Sequence, residues 1–366
     1  MELLRYPELR GLPVVVGGRT THQPTIKADG SKHFHKLREY VGRGVITTST
    51  YEARALGVFS AMGMMKAAQL APDAILLPAD FDSYRHYSRL FKATVASIAP
   101  KMEGTGIDEI YMDLTDLPDE TLALAQRIKQ AVFETTGLTC SIGITPNKLL
   151  SKIGSDLDKP DGITILGLSD IPDRIWPLSV RKINGIGPKA SKKLESLGIK
   201  TIAELAQAEL HFLRNHFSAS YSTWLHEVSH GIDNRAVITH SEPKSISRET
   251  TFEQDLHPRH DRPALSEAFT TLCTRVAADL QRKGYVGRTI GIKLRFEDFN
   301  TVTRDITLAA HTADSAAIRR AAGECLRRVT LEKKLRLLGV RVTTLSLAHD
   351  SQATDDSPQR ELPLTP

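Results

Sequence analysis

The sequence predicts an α+β chain of several domains, and three observations carry that reading. Between Pro13 and Leu166, short apolar runs ended by glycine or proline alternate with longer stretches whose apolar residues recur at helical spacing. The later part of this region follows the strand–helix–strand–strand–helix–strand order of a split βαβ sheet. After Pro243 a second set of strands and helices begins, separated from the first by an almost wholly helical stretch. At 366 residues the chain is too long for one ordinary domain.

Taken in order, Pro13–Gly18 reads as a buried strand ended by glycines. Residues 19–44 are polar with little periodicity and read as a solvated loop; His22, His33 and His35 lack a Cys or acidic partner at metal-ligand spacing. Val45–Thr48 is a second strand, and Tyr51–Met65 is helical, with Ala, Leu, Phe and Met recurring. Ile75–Pro78 is a third strand, followed by a helix over 82–98 with Tyr84, Tyr87, Leu90, Phe91, Val95 and Ile98 on its apolar face. A hairpin around Asp108 leads to a helix over 122–134 preceded by Asp119 as its cap. Strand 139–144, helix 147–157 and strand 162–166 complete the first set. Residues 167–235 are helical. The second set is strand 244–252, helix 262–283, strands 289–296 and 301–308, helix 312–329 and strand 337–347. The stretch from His349, rich in Asp, Ser, Pro and Gln, has too little apolar surface to bury a core and is expected to be disordered.

Composition narrows the class. Hydrophobic residues make up 40% and charged residues 25%, as in a soluble globular protein, and no apolar run reaches membrane-spanning length. The start lacks the basic-then-apolar layout of a signal peptide, and Cys140, Cys273 and Cys325 lie far apart, so a reduced, cytoplasmic protein is expected. The net charge of +5 is unevenly spread. Arg181–Asp350 holds 27 of the 48 Lys and Arg but only 19 of the 43 Asp and Glu, which suggests a polyanion held by the C-terminal half, with solvated helix faces as the bland alternative.

Asp108 and Glu109 lie in the apolar run Gly106-Ile107-Asp108-Glu109-Ile110-Tyr111-Met112-Asp113. Burying bare carboxylates is costly, so either the two acids sit on a solvated turn or a divalent cation partners them while keeping open positions for phosphate. Gly185-Ile186-Gly187-Pro188-Lys189-Ala190-Ser191-Lys192-Lys193-Leu194 matches a helix–hairpin–helix. There a glycine turn presents the N–H groups that open the second helix to a phosphate, and Lys189, Lys192 and Lys193 add attraction; a structural turn with exposed lysines is the alternative. Thr48–Arg54 ends a strand and opens a helix. Its hydroxyl, phenol and guanidinium could grip a triphosphate, with Tyr51 and Arg54 on one helical face. Asn147–Lys152 leads to Asp158-Lys159-Pro160-Asp161-Gly162, a turn that presents Lys159 beside the sheet as a point charge suited to phosphate.

In this order and spacing, Tyr51-Glu52-Ala53-Arg54, Asp108–Asp113, Asn147–Ile153, Lys159-Pro160-Asp161-Gly162, Ile186-Gly187-Pro188 and Lys244–Glu249 resemble a Y-family DNA polymerase, the translesion class, over Met1 to about Leu347. The resemblance implies a right hand: fingers over 1–77 with an insertion at 19–44, a split βαβ palm over 78–166, and a helical thumb with the helix–hairpin–helix over 167–235. A linker over 236–243, an αβ little finger over 244–348 and a tail over 349–366 would follow. It implies that Asp108 and Glu109 hold two Mg²⁺ ions, that Thr48, Tyr51, Arg54 and Lys159 hold the deoxynucleoside triphosphate, and that Gly185, Gly187, Lys189, Lys192, Lys193, Lys244 and Arg248 hold primer-template DNA. A monomer is expected.

Three features depart from the pattern. Glu2–Arg10 matches the segment after the family's first strand, so by this resemblance the third metal-binding Asp and the aromatic residue that excludes ribonucleotides have no counterpart in this sequence. The expectation is a start further upstream or a crippled enzyme with weak metal binding. Residues 19–44 are an insertion, and Gly106 replaces the usual Ser. In the tail, Gln359, Leu362 and Leu364 resemble the peptide by which bacterial polymerases dock on the sliding clamp. A non-catalytic DNA-binding remnant and a nucleotidyl cyclase are the rival readings; the helix–hairpin–helix and the basic C-terminal half count against the cyclase.

Overall fold

The computed structural model describes residues 1–18 and 20–349, and the chain divides into two compact units, Met1–His240 and one beginning at Ser241. The first unit opens with the short helix α1 (Glu2–Arg5) and the buried strand β1 (Val14–Gly18). Residues 19–44 are not a simple solvated loop. They contain an exposed antiparallel pair, β2 (Thr25–Ile26) and β3 (Lys32–His33), after which the chain returns to the core. Leu37 and Tyr40 are buried with Val15, Ile46, Met64 and Leu76, and the Leu76 N–H donates to the His35 carbonyl at 2.9 Å. Two apolar residues in an otherwise polar stretch make no periodic signal, yet they anchor it.

Strand pairing in the next segment falls on β4 (Thr48–Ser49), later than expected; Val45 makes only an isolated bridge to Gly63. The helix expected over 51–65 is two helices, α2 (Tyr51–Ala55) and α3 (Met64–Leu70). The chain breaks between them where Gly57 and Ala61 take φ of +84° and +65°, a left-handed backbone no helix can contain. The strand β5 (Ile75–Pro78) then completes a three-stranded sheet in the order β4–β1–β5.

A long helix follows, α4 (Phe81–Ile98), capped by Asp80 accepting from the Ser83 N–H at 3.1 Å. The antiparallel hairpin β6 (Met102–Gly104) and β7 (Ile110–Met112) comes next, then α5 (Thr121–Thr136). Glu120, not Asp119, caps α5, accepting from the Ala123 N–H at 2.9 Å, while Asp119 pairs with Arg127 at 3.0 Å. The parallel pair β8 (Ile142–Ile144) and β9 (Ile163–Ile165) flanks α6 (Lys148–Leu157), which Asn147 caps. Gly143 permits the close crossing of β8 and α6, since a Cβ there would lie 2.5 Å from the Ser155 nitrogen.

Both strand pairs pack on the layer of α4 and α5, where Val95, Leu124, Ile128 and Val132 meet Ile110, Met112 and Ile142. Among the described residues no strand pairs with both β7 and β8, so the split βαβ sheet is present as two separate two-stranded pieces on one helical floor. The Lys148 side chain, only 8% exposed, pairs with Glu103 of β6 at 2.6 Å and donates to the Ala236 carbonyl at 3.0 Å. Glu103 also accepts from the Ile238 N–H at 2.7 Å, and Asp233 accepts from the Leu149 N–H at 2.9 Å. Hairpin, helix and the segment 233–238 are thereby fastened together.

From Leu168 the chain runs through short 3₁₀ and π turns into α7 (Pro188–Ser196), α8 (Ile202–Gln207), α9 (Leu210–His216) and α10 (Ala219–Ser229). Ile183, Leu194, Ile202, Leu205, Leu213 and Leu225 form their core.

The second unit is a four-stranded antiparallel sheet in the order β10–β13–β11–β12, made of β10 (Ser245–Leu256), β11 (Tyr285–Phe296), β12 (Thr301–Thr312) and β13 (Leu335–Leu347). Helices α11 (Arg262–Lys283) and α12 (Ser315–Arg327) supply Phe269, Val276, Leu280 and Ile318 to its core. Strand alternation puts Arg248 on the same side as buried Ile246, facing α11. Its guanidinium forks onto Asp279 at 2.5 and 3.0 Å, and Arg282 approaches the same carboxylate at 2.7 Å.

The hydrogen-bonded Arg248 guanidinium, against the opposing effect of burial, holds the Asp279 carboxyl down at about 2, with Arg282 adding to it. A carboxyl depressed on folding contributes stability that is present above its unfolded pKa and lost as pH falls from about 4 through about 2. In urea unfolding, the chain should therefore lose about 2 kcal/mol more between pH 5 and pH 2 than an Asp279→Asn variant does. Equal losses would show that this pair contributes nothing to acid sensitivity.

Candidate nucleotide and nucleic-acid site

A single cleft of about 930 Å³ in the first unit is lined by Tyr51, Arg54, Asp108, Glu109 and Lys159, five of the residues singled out from the sequence. They come from three places: the start of α2, the turn between β6 and β7, and the turn between α6 and β9. Thr48 is exposed on β4 and does not line the cleft.

Tyr51 and Arg54 are brought together by the helical i,i+3 spacing, with the guanidinium 5.1 Å from the ring centroid. Thr50, in place of Thr48, is the structural hydroxyl. It accepts from the Val14 N–H and donates to the Leu12 carbonyl, both at 3.0 Å, and so ties the start of α2 to β1.

The acids are placed differently from a buried pair. Asp108 and Glu109 occupy an exposed turn between two three-residue strands, so water pays most of the cost of their charge. The turn is held from two sides. Lys92 of α4 donates to the Gly106 carbonyl at 2.5 Å, and Lys152 of α6 forms an ion pair with Glu109. Burial disfavours the charge on Lys152, but the hydrogen bond it donates to Glu109, together with the attraction of Glu109, Asp156 and Tyr111, outweighs burial and raises its pKa. Arg235 also lines the cleft, forked onto Asp233 at 2.7 and 2.8 Å. Lys92 and Arg235 had no motif to mark them, and Lys152, though inside the Asn147–Ile153 motif, had no role of its own there; only the fold brings each to the acidic turn or the cleft.

Among the described residues, no three His, Cys, Asp or Glu side chains are grouped to hold a metal ion. Asp108 and Glu109 nevertheless suit Mg²⁺ in the form it usually takes, with one or two carboxylates and the remaining positions filled by substrate phosphate and water. Lys159 lines the same cleft and is exposed, with its ammonium 2.6 Å from Asp156.

In the helical part, Gly185 has φ of +111°, and a Cβ on it would lie 2.7 Å from the Trp224 ring. Gly187 caps α7 with Pro188 at its first position, so the free N–H groups at the start of this nine-residue helix face outward. Lys189 and Lys192 are exposed. Lys193 turns aside, donating to the His216 carbonyl and lying 4.6 Å from the Phe217 ring. In the second unit Lys244 is exposed, and Arg248 is engaged with Asp279 as described. Gln359, Leu362 and Leu364 lie outside the described residues.

Comparison with known proteins agrees with this geometry. A Y-family DNA polymerase chimera of two related enzymes superposes with a TM-score of 0.75 over 94% of this chain and 95% of its own, at 23% identity. DinB from Sulfolobus solfataricus does so at 0.61 over 93% and 94%. The architecture is thus that of a Y-family polymerase. Residues 1–156 match the impB/mucB/samB family, residues 169–199 its HHH motif and residues 243–359 its C-terminal domain. DNA polymerase IV of Alkalilimnicola ehrlichii is 36% identical over 95% of this chain and 92% of its own length, and that of Methanoculleus marisnigri 37% over 97% and 94%. The chain belongs to the impB/mucB/samB family, alongside the proteins called DNA polymerase IV.

Gly185→Ala should lower the unfolding free energy by about 1–3 kcal/mol, because it forces a side chain into a left-handed conformation and against Trp224. Thermal unfolding checks this, and a variant as stable as the parent would refute the fit described for this turn.

Proposed function

We propose that this chain is a template-directed DNA polymerase of the translesion class, adding deoxynucleotides to a primer 3′ end in DNA damage tolerance. The observation that carries the reading is the convergence of an acidic turn, an aromatic–arginine pair and a turn lysine in one open cleft of a chain whose relatives are named DNA polymerase IV. In this reading residues 1–77 are the fingers, 78–166 the palm, 167–235 the thumb and 244–348 the little finger.

Asp108 and Glu109 would hold two Mg²⁺ ions together with triphosphate oxygens. When bound, such ions stabilise the attacking and leaving oxygens of an in-line displacement at phosphorus. The other groups bind and orient. Arg54 offers a planar fork to phosphate oxygens, steadied by the Tyr51 ring beside it, and Lys159, lining the same cleft, offers a point charge. Lys152 holds Glu109 in place and adds positive charge where phosphate enters. The N–H groups opening α7, together with Lys189 and Lys192, would grip the DNA backbone without reading its sequence, and Lys244 would add to that grip. Sliding-clamp docking through Gln359, Leu362 and Leu364, and a monomeric, cytoplasmic protein, complete the proposal. Among the described residues no helix is long and apolar enough to cross a membrane.

Primer extension with Mg²⁺ and all four deoxynucleotides tests the reading. The chain should extend a primed template, and Asp108→Ala should slow it by at least about two orders of magnitude while leaving DNA affinity unchanged. DNA binding with no extension by the parent chain would overturn the catalytic assignment. Lys159→Ala should raise the nucleotide KM about tenfold, the worth of one hydrogen bond to a charged group.

A further inference from the structure

Lys129 of α5 lies on the far side of the turn that carries Lys159, and its side chain is 17% exposed. Its ammonium donates to the Cys140 carbonyl and to the Asp161 carbonyl, each at 2.6 Å, and forms an ion pair with the Asp161 carboxylate. An ammonium has three protons, so this donor set is fully used. Two of its acceptors are backbone carbonyls on different segments. Cys140 precedes β8, and Asp161 sits two residues after Lys159.

The turn needs such a tie. β8 and β9 pair over only three residues each, so their ladder is short. Asp161 has φ of +58°, a left-handed backbone that is costly for a residue other than glycine. A hydroxyl bond between Thr164 and Asp158 at 2.8 Å braces the inside of the turn, and the Gly162 N–H reaches Ser141 at 3.3 Å. Among the described residues, Lys129 makes the only hydrogen bonds from the helical floor to this turn. Asp161 borders both the large cleft and a smaller hollow of about 370 Å³ that Lys129 lines, so the turn is the wall between them.

We propose that Lys129 is a positioning residue for the nucleotide site: by clamping Asp161 to Cys140 it fixes the place from which Lys159 reaches the triphosphate. This rests on the reading of Lys159 given above. Lys129 itself touches no substrate.

The test is nucleotide titration in primer extension by the full chain, comparing the parent, Lys129→Met, Lys159→Ala and the double variant, with DNA affinity measured by anisotropy. Lys129→Met should raise the nucleotide KM about fivefold with kcat and DNA affinity within about twofold, since only nucleotide placement is disturbed. In the Lys159→Ala background the same substitution should add nothing, because both act through one ammonium. Hydrogen exchange should quicken over 159–164 and not elsewhere in the first unit. An unchanged KM in folded Lys129→Met, or the same fivefold rise on top of Lys159→Ala, would overturn the proposal. A Lys159→Ala variant with normal KM would overturn the reading of the site, and with it the route through Lys159. Should Lys129→Met fail to fold, Asp161→Asn, which keeps both carbonyls and weakens only the ion pair, should show a smaller rise in KM; none would count against the clamp.

Discussion

Taking the Lys148 ammonium out of water is tolerable only because its partners converge on it, the Glu103 carboxylate and the Ala236 carbonyl, with the Tyr111 ring 5.2 Å away. The arrangement is demanding, and that is its structural value. Glu103 belongs to the strand beside the acidic turn, Lys148 opens the helix that ends near Lys159, and Ala236 and Ile238 belong to the segment that leaves the first unit. If any of the three shifts, a charge is left buried without a partner. Tyr111, burial of which pushes its phenol up against the opposing pull of Lys152 and Arg235, completes the same cluster. The cleft is therefore open to water while the elements around it are joined through a dry polar contact.

Much of this organisation was legible in the sequence because it rests on local chemistry. Asn147 announces α6, the turn glycines announce the helix–hairpin–helix, and the long amphipathic repeats announce α4, α5, α11 and α12. Tyr51, Arg54, Asp108, Glu109 and Lys159 were found as motifs and meet in space. What escaped depends on distant partners. Leu37 and Tyr40 are buried by β1, α3 and β5, none of which their own neighbours reveal. The sequence leaves the environment of Asp108 and Glu109 open because Ile107, Ile110 and Met112 suggest burial; a two-strand hairpin with a short ladder leaves its tip in solvent, the solvated turn of the two alternatives. Lys92 and Lys129 are ordinary lysines by sequence, and Lys152 stands in a motif without a role of its own; helix placement selects all three.

The basic excess of the C-terminal half is likewise only partly available to a polyanion. Lys193 is spent on a carbonyl and a ring, Arg248 on Asp279, and Lys293 on Glu249 at 2.8 Å. Counting cations along a sequence measures the long-range field, which attracts nucleic acid at a distance. It does not say which cations touch phosphate, because intramolecular carboxylates compete for the same geometry. Lys189 and Lys192 remain exposed beside the opening of α7, where backbone donors already point the same way.

Gly143 has no functional group, yet the contact it permits locates two that do. Its hydrogen atom is all that separates β8 from the backbone of α6, and Lys152 and the turn bearing Lys159 travel with that helix. Tyr51 and Arg54 ride on a different sheet and would not follow. The place of Lys152 and the Lys159 turn in the cleft thus depends on the thinnest of side chains. Enlarging that residue by a single carbon would set a Cβ 2.5 Å from the Ser155 nitrogen, so strand and helix would have to part.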